Sequence, residues 1–439
     1  MPNHDQSAYA LPPAFLQNMQ HMLGDHFDAF LSSYQQPAHR GIRFRDDRRP
    51  VTADELLGDI PYARNGCYLS EDSKAGATPL HEAGAFYIQE PSAMTAAAVL
   101  APQDGDRVLD LCAAPGGKST QLAMSADLHL LVANEPIPSR AQILSRNIER
   151  MGITNAIVTS AYPDQLAKKW PEYFDKILVD APCSGEGMFR KHPETRDEWN
   201  EQSPAHCAER QMEILSCAAK MLRPGGRLAY STCTFNDQEN EGVVEAFLAA
   251  HSEFHLCPFA LAELPEAPQG YMHLWPHEVR GEGHFVALFE KDGNESAVLV
   301  KPSLPAIDQK TAKQIEQFFA SVHCSKRIVP NALFGGRPVM LPASYPDLNG
   351  IRTLRAGLHL GEFKGKAFIP DHAVALGVNF DQCIDLDDTQ IQLYLHGDVI
   401  PCADDCKGFV VLRYKGYQIG FGKASDGMIK NHYPKGLRK

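Results

Sequence analysis

A chain of 439 residues is too long for one ordinary domain and carries enough apolar material for two to four. It has no apolar run of membrane-spanning length and no basic-then-apolar leader over Met1 to Ala10, which predicts a cytoplasmic protein that does not engage a membrane. Eleven scattered cysteines are no disulfide framework, and a formal net charge of −12 argues against indiscriminate nucleic-acid binding while leaving room for basic patches.

In chain order, the spacing of Phe15, Met19, Met22, Leu23, Phe27, Phe30 and Leu31 predicts helix over 13–34. A basic strand follows near 41–44, then a second helix over 52–57 and a turn-rich connector centred on 72–76. Residues 1–80 thus form a small leading α/β domain. His39, Arg40, Arg43, Arg45, Arg48 and Arg49 make a first basic cluster there. From Lys407 onward eight basic residues stand against one acid, Asp426, a second cluster. Both predict contacts with a polyanion.

A small-residue helix is expected over 92–100. Beyond it, strands predicted at 129–135, 155–159, 176–180, 227–232 and 284–290 alternate with helices at 138–151, 205–222 and 237–251, the last started by an Asn236/Glu239 capping box. That alternation predicts a doubly wound, mainly parallel α/β sheet over 81–291. A linker over 292–306, a small α/β segment over 307–380 and a β-rich end over 381–439 complete the chain, with strands expected at 391–395, 408–414 and 417–421.

The core is organised around Val108 to Thr120, a strand, a glycine-bearing turn and the start of a helix. In a doubly wound fold this places backbone N–H groups and a helix N-terminus beside a cofactor crevice. Gly117-Lys118-Ser119 imitates the end of a phosphate loop, and Ile177-Leu178-Val179-Asp180 a Walker B strand, but the loop's first glycine falls on Cys112 and the dinucleotide fingerprint is absent. A crevice for S-adenosylmethionine fits better, and Glu135 at the end of the next strand is placed for ribose hydroxyls. Asp180 leads into Ala181-Pro182-Cys183, and a later strand ends in Thr232-Cys233-Thr234, so two thiols and a carboxylate are expected at one strand-end crevice. A thiolate adding to carbon 6 of cytosine makes carbon 5 able to take a methyl group, and an acid at nitrogen 3 steadies the charge. These residues alone do not rank the thiols. Cys402 and Cys406 lack a matching pair, and no metal site is expected.

Ile88-Gln89-Glu90-Pro91-Ser92, Cys112–Lys118, Asp180–Gly185 and Ser231–Thr234 together resemble the NOL1/NOP2/Sun family of RNA cytosine-5 methyltransferases. The resemblance implies a Rossmann-type methyltransferase core, a leading RNA-binding domain of ferredoxin-like type and a C-terminal PUA-like RNA-binding domain. It implies Cys233 as nucleophile, Cys183 as the thiol that assists release, and Asp180 at the base edge and cofactor. Cys112, Ala113, Ala114, Pro115, Gly116, Gly117 and Lys118 would form the cofactor loop and Glu135 would hold the ribose, with Arg140 and Lys118 weaker candidates for orienting cofactor or base. Small-subunit ribosomal RNA is the expected partner, transfer RNA its rival, and no obligate protein partner is expected. The family's acid near the adenine has no clear counterpart, leaving a shifted Asp164 or a backbone group.

Overall fold

The structure is a computed structural model that describes residues 11–294 and 304–439; the leader region and most of the expected linker lie outside the described residues. Short apolar runs such as Val108-Leu109 and Ile177-Leu178-Val179 become strands buried on both faces, as a parallel sheet requires. Across the central sheet the order is Phe254–Leu256, His284–Lys291, Leu222–Thr232, Phe174–Asp180, Arg107–Asp110, Leu130–Asn134, Ala156–Thr159 and Thr353–Ala356, and Tyr271–Leu274 also pairs with His284–Lys291. The five strands from Leu222–Thr232 to Ala156–Thr159 run parallel.

Alternate residues of each strand divide between two cores. Val108, Leu131 and Leu178 pack with helices Thr95–Leu100, Gly117–Ser125 and Pro138–Arg150, whereas Leu109, Val132 and Ile177 pack with Pro163–Lys169, Ser203–Met221 and Glu241–Ala250. The fold is doubly wound. Its order reverses at Arg107–Asp110, so the carboxyl ends of that strand and its neighbours open one crevice. One edge strand, Thr353–Ala356, comes from far along the chain and ties the 304–378 region into the same sheet.

A four-stranded antiparallel sheet precedes the core, ordered Leu56–Asp59, Gly66–Leu69, Arg40–Phe44, Phe86–Gln89. Helices Pro13–Leu23 and Phe27–Ser33 lie instead on the crevice loops, where Phe15, Met19, Phe30 and Tyr34 cluster with Phe189, Trp199 and Phe235. The C-terminal end is a five-stranded sheet ordered Ile384–Asp385, Gly408–Tyr414, Tyr417–Ser425, Met428–Asn431, Ile400–Pro401.

Four expectations are corrected. Residues 52–57 are not a helix: the Thr52/Glu55 capping box closes a single turn, and Leu56–Asp59, carrying Gly58 at φ +105°, joins a sheet edge. Residues 391–395 are not a strand but part of helix Asp388–His396, started by an Asp387/Gln390 capping box and stopped by Gly397 at φ +107°. Burial of Ile391, Tyr394 and Leu395 follows helical spacing, which the short Ile-Gln-Leu-Tyr-Leu alternation disguises. The helix expected from 237 begins at Glu241: Asn236 Oδ1 accepts the Glu239 N–H as a capping box requires, but the Glu239 carboxylate turns to Ser184 and Gln211 and leaves the Asn236 N–H to Glu186.

The fourth correction concerns charge. Arg40 and Arg45 spend their guanidinium hydrogens on backbone carbonyls of Ser70, Glu71, Ser73 and Leu376, Arg43 is buried, and Arg48 and Arg49 pair with Asp46 and Asp59. Arg43 and Arg45 thus brace the leading domain against its neighbours, which leaves Arg48 and Arg49, both exposed beside their acids, as the arginines of this cluster that face solvent. At the C-terminus, exposed Lys423 and Lys430 stand directly opposite each other on neighbouring strands and keep that face basic.

Candidate active site

The loop of residues 112–118 is held from several sides. Gly116, at φ +113°, precedes helix Gly117–Ser125 in a conformation that L side chains avoid, and a Cβ on Gly117 would press on Tyr87 and Gln89. Asn134 donates to the carbonyls of Leu111 (3.1 Å) and Ala161 (3.0 Å), Arg140 to Ala114 (3.1 Å) and Asn147 to Pro115 (2.9 Å). From the leading domain, Arg43 donates to the Gly117 carbonyl (3.0 Å) and Thr120 Oγ1 (2.7 Å). Cys112 and Ala113 line this turn, and burial pushes the Cys112 thiol well above its usual range.

Two acids flank the loop. Glu135, buried at the strand end, accepts the Ile137 N–H (2.9 Å) and lies 3.5 Å from Arg140. Asp110 is fully buried; Ser119 donates to one oxygen (2.6 Å), while the other has no partner among the described residues. Burial lifts the Asp110 carboxyl to about 7. Asp164 is exposed and paired with Lys168 on helix Pro163–Lys169, and Ile137 and Tyr162 are exposed groups beside that strand end.

Asp180 and both cysteines meet as their strand positions predict. Parallel pairing sets Asp180 beside Ser231, and the Cys183 and Cys233 sulfurs lie 3.3 Å apart. The contact with Cys233, together with burial, pushes the Cys183 thiol well above its usual range, so it keeps its proton. Asp180 receives Lys118 Nζ (2.8 Å) on one oxygen and the Ser231 hydroxyl (2.9 Å) on the other. Burial would raise this carboxyl, but Lys118, helped by the Ser231 hydroxyl, holds it below the usual range.

Sequence reasoning passed over the two carboxylates that lace the cysteine loops together. Glu186 accepts from Trp199 Nε1 (3.2 Å), Thr234 Oγ1 (2.8 Å) and the backbone N–H groups of Phe235 (2.9 Å) and Asn236 (3.0 Å). Glu239 accepts from the Ser184 N–H (2.9 Å) and hydroxyl, and from Gln211 Nε2 (2.8 Å), which also donates to the Pro182 carbonyl (3.0 Å). The signal was there for Glu186, which sits inside Pro-Cys-Ser-Gly-Glu-Gly, where a charged residue between two glycines has no helical or strand role to explain it.

The chain matches known proteins along most of its length. Residues 97–290 match the family described as 16S rRNA methyltransferase RsmB/F, 11–91 the N-terminal domain of 16S rRNA methyltransferase RsmF, 318–378 the RsmF first C-terminal domain and 381–439 the RsmF PUA domain. It is 33% identical to ribosomal RNA small subunit methyltransferase F of Aeromonas hydrophila, across 97% of each chain, and 32% identical to that of Erwinia tasmaniensis, across 97% of this chain and 96% of the relative. A crystal structure of a methyltransferase homologue from Pyrococcus horikoshii superimposes with a TM-score of 0.54 at 27% identity, covering 65% of this chain and 99% of its own. Loop, paired thiols and flanking domains all fall within these matches, and the chain belongs to the RsmF family of 16S rRNA methyltransferases.

Proposed function

We propose that this protein transfers a methyl group from S-adenosylmethionine to carbon 5 of a cytosine in small-subunit ribosomal RNA, through a covalent bond between Cys233 and carbon 6. The contact of Cys183 with Cys233, beside Asp180 and next to the cofactor loop, carries the reading. The residues fit the cofactor: Glu135 offers a carboxylate for ribose hydroxyls, and the unpartnered Asp110 oxygen offers one for an ammonium group. Residues 112–118 supply the cradle between them.

Cys233 adds as a thiolate to carbon 6 of the unstacked pyrimidine, and the displaced electrons make carbon 5 nucleophilic. Asp180, held ionised by Lys118, is placed to accept hydrogen bonds from the amine edge of the base, and the Lys118 ammonium beside it offsets the charge that builds on the ring. When bound, S-adenosylmethionine supplies the electrophilic methyl group that carbon 5 takes up. Water then takes the carbon 5 proton, the electron pair of that bond restores the carbon 5–carbon 6 double bond, and the Cys233 sulfur leaves with the electrons of its bond to carbon 6. Cys183, still protonated and touching that sulfur, is placed to hydrogen-bond to it as it departs. The basic face around Lys423 and Lys430 supplies phosphate contacts that offset unstacking.

Bisulfite sequencing of ribosomal and transfer RNA from cells with and without the gene tests the activity. A protected cytosine in small-subunit RNA should disappear with the gene. Loss confined to transfer RNA would move the substrate, and no change in either would refute the reading. Cys233→Ala should abolish methylation, and substantial residual turnover would assign the nucleophile wrongly.

A further inference from the structure

One buried side chain in the crevice has no role in the chemistry so far. His284 opens strand His284–Lys291, and because the next residue, Phe285, pairs with Thr232, its backbone stands across from Cys233. The side chain is 2% exposed, its Nε2 lies 3.8 Å from Asp180 Oδ1, and neither ring nitrogen has a hydrogen-bond partner among the described residues. An apolar residue of the same size would fill the space without forfeiting two hydrogen bonds to water. Burial first, and then Lys118, pull the imidazole down to about 3, so the ring is neutral and carries one N–H donor and one acceptor nitrogen.

Asp180 shows what that donor is for. Both its oxygens are engaged here, one by Lys118 and the other by Ser231. A pyrimidine edge arriving at the carboxylate must turn it or displace one of these donors. Closing the gap to Nε2 to hydrogen-bonding distance then takes about 1 Å of movement. The backbone that carries the imidazole is itself fixed, since Gly283 sits at φ +110° with no room for a Cβ beside the Phe235 ring. His284 at the start of one strand and Cys233 just past the end of its neighbour are therefore held side by side, so a hydrogen bond from one to Asp180 sets the carboxylate relative to the other.

We propose that His284 is a positioning residue for Asp180: its neutral imidazole donates the Nε2 hydrogen to Asp180 Oδ1 as the target base engages the carboxylate, fixing Asp180 against the ring that Cys233 attacks. A neutral donor steadies the carboxylate without cancelling the charge that the base edge meets, a task Lys118 cannot perform. The proposal rests on the cytosine-methyltransferase reading.

The test uses the full chain, tritiated S-adenosylmethionine and small-subunit RNA under single-turnover conditions, with cofactor affinity by calorimetry and RNA affinity by filter binding measured alongside. His284→Met is expected to slow methyl transfer about 10- to 100-fold, the size of a lost hydrogen bond to a charged group, with both affinities within about twofold of the parent. His284→Gln, whose amide nitrogen reaches the Nε2 position, should recover most of the rate, and His284→Asn, which reaches only the Nδ1 position, should not. In an Asp180→Asn background His284→Met should slow the reaction further by less than about twofold. A parental rate for His284→Met, equal rates for the Gln and Asn variants, or an undiminished effect in the Asp180→Asn background would each overturn the role. Should His284→Met not fold, the Gln and Asn pair still decides it. If the parent labels cytosine while these criteria fail, the His284 role alone falls; if the parent labels no cytosine, the activity reading falls and this role with it.

Discussion

Glu186 sets the geometry of the loop that follows Cys233, and its removal has a calculable cost. It is 1% exposed and satisfies four donors, three of them on one oxygen. Glu186→Gln can keep those three on its carbonyl but turns an NH2 toward the Trp199 N–H, the loss of about one hydrogen bond. Glu186→Leu strands all four donors, each worth roughly 1–3 kcal/mol when buried and unpaired, or about 3–6 kcal/mol after partial relaxation. The assay is amide hydrogen exchange read on peptides spanning Phe235 and Asn236. A loss of that size speeds exchange by roughly 100-fold or more if those amides open locally, against about 10-fold for Glu186→Gln. Methylation should fall in the same order as Cys233 loses its placement. Unchanged protection of both amides in Glu186→Leu would refute the claim that this carboxylate holds the loop.

Cys183→Ala removes the proton donor beside the departing sulfur, so a covalent protein–RNA adduct should accumulate as a slow band on a denaturing gel, and absence of the band would remove that role. Asp110, raised to about 7 by burial, is disfavoured as a charged group in the folded state, so the protein should lose stability relative to Asp110→Asn as pH rises from about 4 to about 7. A melting-temperature difference that stays flat from pH 4 to 8 would contradict this. Arg43→Met strips its donors from Gly117 and Thr120 and should weaken S-adenosylmethionine binding by about 10-fold in calorimetry without RNA, with Arg43→Lys intermediate; an unchanged affinity would show that Arg43 merely fills space. At Gly84, φ +65°, a Cβ would lie 1.7 Å from the Arg150 carbonyl oxygen, so Gly84→Ala should lower stability by more than about 2 kcal/mol in urea denaturation, and a neutral result would place that contact in error.

Much of this molecule is legible from local sequence, because its signals are local. The strand, turn and helix of Val108 to Thr120 follow from an apolar run, two glycines and a change of period, and the structure repeats them within a residue or two. Asp180, Cys183 and Cys233 stand out because each follows an apolar run that reads as a buried strand. Errors arose where two local signals competed. At 391–395 a two-residue alternation outweighed the Asp387 cap and the Gly397 stop, and in the 39–49 cluster a count of charges took no account of where each guanidinium points.

Residue order along the chain determined a glycine-bearing strand-to-helix turn, an acid at the end of the following strand and two thiols at strand ends. Tertiary structure alone decided that those thiols touch, that Glu186 and Glu239 bind their loops together, and that a leading-domain arginine braces helix Gly117–Ser125. Strand order and register create those contacts between groups about fifty residues or more apart, through non-local pairing across the sheet that no window along the sequence contains.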